Sequence, residues 1–407
     1  MTVFQHPPEV AQFWRKLVTP LVKRHPTPFY LFSAAPVDQA LQELKARFAR
    51  YPIRHWLSFK TQPLRPLLQW WNKQGLSIEV VSEFEFLAAR KEGFSPDRIL
   101  VNGPAKHHWL PLHNVRGLRV NFDSVNEAVA LTPVAKKLGW TVGVRLSTQE
   151  EFDPENPQFP TQFGIALAEA LPLIRRLIKA GLQMEMVHIH LRTNVATAQI
   201  YERALAEVAE ICRTACFTPK FVDCGGGFPP RHVLTRDGRP VDAHFSLSEM
   251  ASVYERLLPR FPGLKELWLE NGRWLTARSG VLVTKVLDIK QRTNMRFLIA
   301  NGGRTMNAML SSWETHELLS LPERSGETYL TTVTGPTCMA FDQLTRRALP
   351  TSIQAGDHLI WLDAGAYHLS WETRFSHGLA EVLWHEGKTV KTVRPAETFK
   401  DWWGQWS

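Results

Sequence analysis

Residues 186–227 carry the pattern that decides the fold. An apolar run, MVHIHL (186–191), is followed by a segment with helical spacing, IYERALAEVAEICRTA (200–215), and then by a second apolar run, KFVDC (220–224). Short apolar runs predict buried strands, and apolar residues at every third or fourth position predict an amphipathic helix. This order of strand, helix and strand is the repeating unit of a parallel sheet covered by helices.

The same alternation extends in both directions from this segment. Eight strand candidates are HWLSF (55–59), IEVVS (78–82), RILVN (98–102), GLRVNF (117–122), TVGVRLS (141–147), MVHIHL (186–191), KFVDC (220–224) and KELWLE (265–270). Several of the helical segments between them end at a glycine, with lysine or arginine in the last turn, as helix C-termini prefer. Strands and helices alternating over about 240 residues predict an α/β fold of the (β/α)8 TIM barrel type, whose usual length is about 250 residues. A doubly wound parallel sheet is the alternative, because periodicity does not count strands reliably.

After residue 272 the helical signal weakens. Segments rich in β-branched residues and separated by turn residues predict strands there: RSGVLVTKVLDIKQRT (278–293), MRFLIAN (295–301), TYLTTVTG (328–335), DHLIWLD (357–363) and KTVKTVR (388–394). We therefore expect two domains, a barrel over residues 28–272 and a β-rich domain made of residues 1–27 plus 273–407.

Composition excludes several classes of protein. The chain has 407 residues, of which 44% are hydrophobic and 21% charged, as is typical of a protein with a packed core. No stretch approaches about 18 consecutive apolar residues, and the first residues lack a basic segment followed by an apolar one, so we expect neither a membrane span nor a secretory signal. The cysteines are too few for a disulfide scaffold: Cys212, Cys216, Cys224 and Cys338. We expect a cytoplasmic protein.

The net charge of +9, from 48 Lys and Arg against 39 Asp and Glu, could indicate a nucleic-acid partner. The basic residues are scattered as singles and pairs, however, and they form no basic stripe. We therefore expect no nucleic-acid partner and no membrane partner. Positive charge also attracts anionic small substrates, and that use stays open.

One candidate catalytic residue is Lys60, directly after HWLSF. In a barrel, residues at the C-terminal ends of the strands point into the active-site mouth. Partial burial lowers the pKa of a lysine there, which suits it as a nucleophile toward carbonyl groups. Taken alone, the position favours an ordinary lysine that extends to the surface.

Three glycines, Gly225, Gly226 and Gly227, follow KFVDC without a gap. Glycine lets backbone N–H groups come close to a phosphate, so the run favours a phosphate site over a simple tight turn.

His188 and His190 lie on one face of the strand MVHIHL. The pair would suit a metal or the stacking of a planar ring, but no third metal ligand is evident nearby, and we predict no metal site. For His188, a buried and hydrogen-bonded strand histidine is the preferred interpretation. Glu270 and Arg273, in ENGR (270–273), would suit a ring nitrogen and a phosphate, although this signal is weak by itself.

In this order, these residues resemble the fold-type III pyridoxal-phosphate decarboxylases, the group of ornithine, arginine and diaminopimelate decarboxylases. The motifs that carry the resemblance span residues 28 to about 380 and are SFKTQ (58–62), VVSEFEFLAAR (80–90), His190, the triple glycine, ENGR (270–273), GPTCMAFDQL (335–344) and DAGAYHLSWETRF (363–375). The resemblance implies a barrel with a C-terminal β-rich domain, and pyridoxal 5'-phosphate as the cofactor.

The resemblance also implies a role for each matched residue. Lys60 would form the Schiff base with the cofactor, His190 would stack on the pyridine ring, and Glu270 would pair with the pyridine nitrogen. Cys338 would return a proton to the substrate carbon, reaching the site from the partner subunit of a head-to-tail homodimer with shared active sites. The remaining residues expected at the cofactor are Thr193, Gly225, Gly226, Gly227, Arg273 and Tyr367 around the phosphate, and Arg145 and Glu79 near the lysine and the ring.

Departures from the family pattern bear on the substrate. Cys338, Met339 and Asp342 are the expected substrate contacts, and Asp342 is also expected to cross the subunit interface. The family usually has an acidic residue at the position of Met339, which helps to bind an amine or an amino acid end. Asn271 replaces a proline, and the segment 301–319 lacks the Arg-Pro pair of diaminopimelate decarboxylases.

These departures favour a larger, acidic substrate. Relatives in siderophore and natural-product pathways act on amino acid conjugates such as citryl-diaminopropionate. Added carboxylates could pair with the basic candidates Arg192, Arg304, His107 and His368. We therefore expect a decarboxylase that removes the α-carboxylate of an amino acid or amino acid conjugate, in siderophore, natural-product or amine biosynthesis.

Two other functions fit parts of the pattern. A fold-type III amino acid racemase would share the barrel and the lysine, but it would use a tyrosine as second base and would lack Gly-Pro-Thr-Cys. A noncatalytic regulator similar to the antizyme inhibitors is disfavoured, because the chain retains Lys60, His190, Glu270 and Cys338.

Overall fold

The described residues form two compact units in a computed structural model. The structure describes residues 5–152 and 161–406. The barrel unit consists of residues 40–152, 161–229 and 244–274, and the sheet unit of residues 5–39, 230–243 and 275–406.

Strands and helices are numbered in chain order. The strands are β1 (Phe29–Ser33), β2 (Ile53–Ser58), β3 (Ser77–Val80), β4 (Ile99–Val101), β5 (Arg119–Phe122), β6 (Thr141–Ser147), β7 (Ile165–Ala166), β8 (Gln183–His188), β9 (Phe221–Asp223), β10 (Leu234–Thr235), β11 (Glu266–Leu269), β12 (Gly280–Arg292), β13 (Met295–Ala300), β14 (Glu314–Thr315), β15 (Leu318–Leu321), β16 (Thr328–Thr334), β17 (Gln343–Pro350), β18 (His358–Trp361), β19 (Glu381–Glu386) and β20 (Thr389–Arg394). The α-helices are α1 (Pro8–Leu21), α2 (Ala34–Arg47), α3 (Arg65–Lys73), α4 (Glu83–Lys91), α5 (Val125–Leu138), α6 (Leu167–Lys179), α7 (Ala198–Thr214), α8 (Leu247–Leu257), α9 (Arg273–Thr276), α10 (Ala308–Ser312) and α11 (Phe399–Trp403).

The barrel unit contains a closed parallel barrel. Its strands pair in the order β2, β3, β4, β5, β6, β8, β9 and β11, and β11 pairs with β2 to close the ring. Each of these strands overlaps one of the eight candidates, so the predicted (β/α)8 barrel is confirmed and the doubly wound sheet is wrong. The carboxyl ends of all eight strands therefore meet at one rim, which is where barrel active sites lie.

Local sequence signals set the ends of the barrel helices. The Ser124 side chain accepts a hydrogen bond from the backbone N–H of Glu127 and so caps the start of α5. The same helix ends at Gly139, whose φ of 61° is the left-handed conformation that glycine adopts without strain. Ser82 caps α4 in the same way through the N–H of Glu85.

The inside of the barrel is filled by large side chains below the rim. Trp56 and Trp268 pack with ring centroids 4.8 Å apart, and Phe221 stacks on Trp268 at the same separation. The Arg119 guanidinium lies over both Phe221 and Trp268, at 4.9 and 5.1 Å. Because this half is filled, the open space of the barrel lies at the strand ends that carry the candidate residues.

The sheet unit is built on a nine-stranded sheet, as the β-rich prediction for the C-terminal third required. Its order is β17, β16, β13, β12, β1, β19 and β20, and β18 pairs with both β12 and β15. Trp14, Val18 and Leu21 of α1 pack on this sheet in one apolar cluster with Phe29 and Leu31 of β1.

The observed division of the chain differs from the expected boundaries at 28 and 272. Strand β1 pairs with β12 and β19, so residues 29–33 belong to the sheet unit. Residues 230–243 also belong to it, and their strand β10 pairs with β14. Every residue of β1 is buried, so its sequence, FYLFS, shows no alternation of buried and exposed positions that says which sheet it joins. Residues 1–4 and 407 of the expected β-rich domain lie outside the described residues.

Within the described ranges, none of the helices has the length and apolar character that crossing a membrane requires.

Candidate active site

A cavity of about 880 Å³ opens at the carboxyl ends of the barrel strands. Its size falls within the usual range for sites that hold a cofactor or small substrate, about 300–1,000 Å³. Six of the residues predicted from the sequence line it together: Lys60, Glu79, Arg145, His190, Thr193 and Glu270.

Lys60 lies in a single helical turn, Phe59–Thr61, that follows β2. Phe59 and Thr61 are buried on either side of it, and the Thr61 hydroxyl donates to the Ser58 carbonyl oxygen over 2.8 Å. The Lys60 side chain is 36% exposed, so its amine faces the cavity while its neighbours anchor the turn.

Glu79 stands beside the lysine, as the sequence predicted. Its side chain is 1% exposed, and Oε2 lies 3.4 Å from Nζ of Lys60. The same oxygen accepts a hydrogen bond of 2.6 Å from the Ser58 hydroxyl. Asn102 donates to Oε1 of Glu79 over 3.4 Å and also donates to Oε1 of Glu270. Asn102 thus connects the carboxylate near the lysine with the carboxylate that follows β11.

Glu270 lies directly after β11 and faces two histidines. Its Oε1 is 3.6 Å from Nε2 of His188, and its Oε2 is 3.5 Å from Nδ1 of His190. Burial lowers the pKa of His188 to about 3 and also lowers the pKa of His190, although the nearby Glu270 opposes both shifts. His188 is buried, as predicted, but its ring nitrogens make no hydrogen bond among the described residues.

Glu270 and Asp223 are buried carboxyl groups that cannot both ionise easily. Burial, followed by the charge of Glu270, raises the pKa of Asp223 well above its usual range. Burial also opposes ionisation of Glu270, but the facing His188 and His190 outweigh it, and the pKa of Glu270 is lowered. The two shifts have opposite directions, so Glu270 is the stronger acid of the pair and a negative charge there is favoured over one on Asp223.

The structure also supplies a third possible metal ligand that the sequence analysis did not find near the histidines. Ligand atoms of His188, His190 and Glu270 lie within 4.8 Å of one another. Glu270 was not evident as the third ligand because it follows a different strand, which closes the barrel beside β9.

The glycine run packs against neighbouring backbone. A Cβ at Gly226 would lie 2.4 Å from the carbonyl oxygen of Glu270, and one at Gly225 would lie 2.5 Å from that of Ile189. Gly225 and Gly227 have φ of 66° and 94°, which few side chains tolerate. The Gly225 N–H donates to Asp223 and the Gly226 N–H to His190. These two N–H groups are therefore engaged within the protein, unlike the expected set of three that would approach a phosphate.

Arg145 ties several parts of the cavity wall together. Its guanidinium donates to the His190 carbonyl oxygen over 3.2 Å and lies over the ring of Phe163 at 4.8 Å. It also stands 3.8 Å from Asp123 and 3.9 Å from Glu151. Burial raises the pKa of Glu151 to about 7, although Arg145 opposes the shift.

Four residues of this network were missed from the sequence: Asn102, Asn121, Glu151 and Asp223. Asn121 donates to Oδ1 of Asn102 over 3.0 Å and to Oδ2 of Asp223 over 3.1 Å. Asn102 and Asn121 stand in the strand candidates RILVN and GLRVNF, close to the carboxyl ends of these strands. That position at the rim was a usable signal.

The other predicted site residues do not line this cavity in the described structure. The glycine run 225–227 packs against the backbone of Ile189, Glu270 and Arg192. Arg273 begins α9. The rest belong to the sheet unit: Cys338, Met339 and Asp342 in the loop between β16 and β17, and Tyr367 in the turns after β18, with φ of 68°.

Comparison with known sequences identifies the family. The profile described as "Pyridoxal-dependent decarboxylase, pyridoxal binding domain" matches residues 35–277. The chain belongs to the pyridoxal-dependent decarboxylases. This family membership confirms the resemblance stated from the motifs, and it makes the protein a carboxy-lyase with pyridoxal 5'-phosphate as its cofactor.

Named relatives of this decarboxylase cover most of both chains. The diaminopimelate decarboxylase of Deinococcus radiodurans is 29% identical over 388 residues, which are 94% of this chain and 96% of the relative. The L-glutamyl-[BtrI acyl-carrier protein] decarboxylase of Niallia circulans is 27% identical over 87% of each chain.

Solved structures share the fold of the decarboxylase. The diaminopimelate decarboxylase of M. jannaschii in complex with L-lysine matches with a TM-score of 0.83 and 20% identity, over 95% of this chain and 94% of that one. The enzyme from Helicobacter pylori with L-lysine matches with a TM-score of 0.81 and 23% identity, over 95% and 98%.

The cavity residues of the decarboxylase fit this cofactor. The cavity offers three groups that the cofactor needs. A lysine amine can bind its aldehyde, a carboxylate with a lowered pKa can pair with its ring nitrogen, and a partly exposed histidine ring can stack on its planar ring. Lys60, Glu270 and His190 are the residues in question.

Proposed function

We propose that the protein removes the α-carboxylate of an amino acid that carries an acidic or conjugated side chain, in siderophore, natural-product or amine biosynthesis. The observation that carries the proposal is the acid-poor loop around Cys338. Met339 follows Cys338, and Asp342, the one acidic residue of residues 335–343, is 2% exposed and accepts hydrogen bonds from the Thr337 hydroxyl and the Arg304 N–H. This loop therefore offers no exposed carboxylate to a distal ammonium group.

The charges of the barrel cavity support the same class of substrate. Arg145 and Arg192 line it, and the guanidinium group of arginine matches the geometry of a carboxylate. Of the carboxyl groups that line the same cavity, Glu151 has a pKa raised by burial to about 7, whereas Glu79 lies beside Lys60 and Glu270 faces the two histidines. We propose that Arg145 and Arg192 attract an additional carboxylate on the substrate.

The proposed roles follow from chemistry and position. Pyridoxal phosphate, when bound, accepts the electron pair left on the substrate carbon when CO2 departs. Lys60 presents its amine to the cavity and would bind the aldehyde, Glu270 would pair with the protonated ring nitrogen, and His190 would cover a ring face. The Cys338 thiol, exposed on its loop, would donate a proton to the carbon that has lost its carboxylate. We further propose a homodimer in which Cys338 of the partner subunit completes each site.

Diaminopimelate decarboxylation is the second candidate. It is favoured by the Deinococcus radiodurans relative, which matches almost end to end. The Niallia circulans relative is named for an amino acid attached to a carrier protein, which is a conjugate of the proposed kind.

The test is CO2 release from purified protein with pyridoxal phosphate. Candidate substrates are ornithine, lysine, diaminopimelate, citryl-diaminopropionate and an L-glutamyl thioester. We expect kcat/KM to be highest for an acidic conjugate and to fall with added salt, because screening weakens attraction of an anion. Efficient, salt-insensitive turnover of ornithine or lysine would refute the proposal, and efficient turnover of diaminopimelate would select the second candidate. Met339→Glu is the matched variant, and it should shift preference toward the free basic amino acids ornithine and lysine.

A further inference from the structure

The loop that carries Cys338 is closed by backbone hydrogen bonds at its base. It joins β16 to β17, and the Gly335 N–H donates to the Asp342 carbonyl oxygen over 3.0 Å. The Asp342 N–H in turn donates to the Met339 carbonyl oxygen over 2.9 Å. Cys338 is exposed near the tip of the loop. These two backbone hydrogen bonds therefore do not by themselves fix the orientation of the peptide groups on either side of it.

The Asp342 side chain lies inside this loop. It is 2% exposed, and Oδ1 accepts a hydrogen bond of 2.6 Å from the Arg304 N–H. Oδ2 accepts one of 3.1 Å from the Thr337 N–H and one of 2.6 Å from the Thr337 hydroxyl. A buried carboxylate with three donors is well satisfied, and such bonds are stronger than those between neutral groups.

Two glycines let the backbone come this close to the carboxylate. A Cβ at Gly303 would lie 2.2 Å from Oδ1 of Asp342, and a Cβ at Gly335 would lie 2.3 Å from Oδ2. Each Cβ would also stand 2.6 Å from the Cα of the other glycine. The backbone at residues 303–304 and the backbone at residues 335–337 therefore both lie against the Asp342 side chain.

Thr337 connects the residues on either side of Cys338 through hydrogen bonds. Its hydroxyl donates to Asp342 and accepts a hydrogen bond of 3.3 Å from the Met339 N–H. The residues before and after Cys338 are thus connected through one hydroxyl, and that hydroxyl is oriented by the Asp342 carboxylate. The direction in which the thiol leaves the loop is set by these contacts.

We propose that Asp342 is a positioning residue, which orients Cys338 through Thr337 and does not contact the substrate. The inference replaces the substrate contact expected from the sequence, and it rests on the proposed role of Cys338. The carboxylate already has three donors from its own unit, so a substrate ammonium would have to displace one of them.

The test compares Asp342→Asn with Thr337→Val and Thr337→Ser. An amide at position 342 presents NH2 where a donor already points, and valine removes the hydroxyl without changing the shape of Thr337. Both variants should lower kcat about tenfold or more with KM within about twofold, whereas Thr337→Ser should keep most of the wild-type kcat. Amide hydrogen exchange of peptides covering 302–307 and 335–343 should be faster in Asp342→Asn.

The matched control is Asp401→Asn. Asp401 accepts hydrogen bonds from the N–H and hydroxyl of Thr398, and its own N–H donates back to that hydroxyl, in an exposed helix cap far along the chain. The same chemical change there should leave kcat, KM and the exchange of the two peptides unaltered.

Three results would overturn the inference: unchanged exchange in Asp342→Asn, faster exchange with unchanged kcat, or a raised KM with unchanged kcat, which would mean a substrate contact. Should Asp342→Asn not fold, the Thr337→Val and Thr337→Ser pair decides the question alone. If Cys338→Ala leaves turnover unchanged, the proposed role of Cys338 is wrong. If Cys338→Ala abolishes turnover while the Asp342 and Thr337 variants are normal, only the inference on Asp342 fails.

Discussion

Gly226→Ala is the sharpest test of the glycine run. The φ of Gly226 lies outside the left-handed region, so alanine is allowed by the backbone and the change acts through contact alone. The added Cβ would lie 2.4 Å from the carbonyl oxygen of Glu270 and 3.6 Å from Cε1 of His190. Both neighbours belong to the proposed cofactor site, and the first is backbone that cannot rotate away.

The expected magnitude follows from that distance. A Cβ and a carbonyl oxygen normally stay more than about 3 Å apart, so the backbone at Gly226 and at Glu270 must separate by most of an ångström. Overpacking of this kind costs about 1–3 kcal/mol. The movement also disturbs the bond from the Gly226 N–H to His190 and the bond from the Glu270 N–H to the Gly225 carbonyl oxygen. Because about 1.4 kcal/mol is a factor of ten, we expect the Kd for pyridoxal phosphate to rise about tenfold or more.

The assay is a titration of cofactor-free protein with pyridoxal phosphate, followed by absorbance, with Tm measured in parallel. The control is Gly75→Ala, where φ is 72° and no atom lies within 4 Å of the added Cβ. That change should cost about 1 kcal/mol of stability through backbone strain and leave the Kd unaltered. A Kd for Gly226→Ala equal to that of wild type would refute the reasoning, as would an equal loss of affinity in the control.

Other predictions address the lysine, the shared site and acid stability. Borohydride reduction of the holoenzyme should fix the cofactor on Lys60, as peptide mass spectrometry would show, and a label on another lysine would contradict the assignment. Mixing inactive Lys60→Ala and Cys338→Ala subunits should restore about one quarter of wild-type activity, because half of randomly paired dimers hold one intact site of two; demonstrated exchange without activity would mean that Cys338 does not act across the interface. Burial, and secondarily the charge of Lys45, lowers the pKa of His55 to about 4 in the folded barrel, below its value of 6.5 in the unfolded chain. The unfolded chain therefore binds the extra proton, and the free energy of unfolding should fall by about 1.4 kcal/mol per pH unit for this group as pH drops from 6.5 toward 4. Urea unfolding of His55→Asn should show a shallower fall over that window, and an identical slope would contradict the prediction.

Local patterns were sufficient for most of the barrel. Strand candidates such as TVGVRLS (141–147) and helix ends such as Gly139 depend on neighbours within a few residues, and the structure has them where the sequence predicted them. Residues 29–33 were expected in the barrel domain, but the partners of their strand, β12 and β19, lie hundreds of residues away along the chain, and all five residues are buried. The sheet that this strand joins is decided by packing that no local pattern describes.

The sequence by itself determined the kind of chemistry. Lys60, His190, Glu270 and Cys338 are the residue types that a carbonyl cofactor and a proton transfer require, and their order along the chain identified the family before any distance was known. The departure at Met339 was visible in the same way. Residue type and order need only the covalent chain.

Only the tertiary structure decided which carboxyl groups are favoured to ionise and which residues hold them in place. The pKa of Asp223 is raised and that of Glu270 is lowered because barrel closure buries the two carboxyl groups together beside His188, and these shifts depend on that burial and proximity. Asp342 likewise became a loop anchor only when Gly303 and Arg304 came against it. Electrostatic free energies and hydrogen bonds act between atoms that folding brings within a few ångströms, and no spacing along the chain contains those distances.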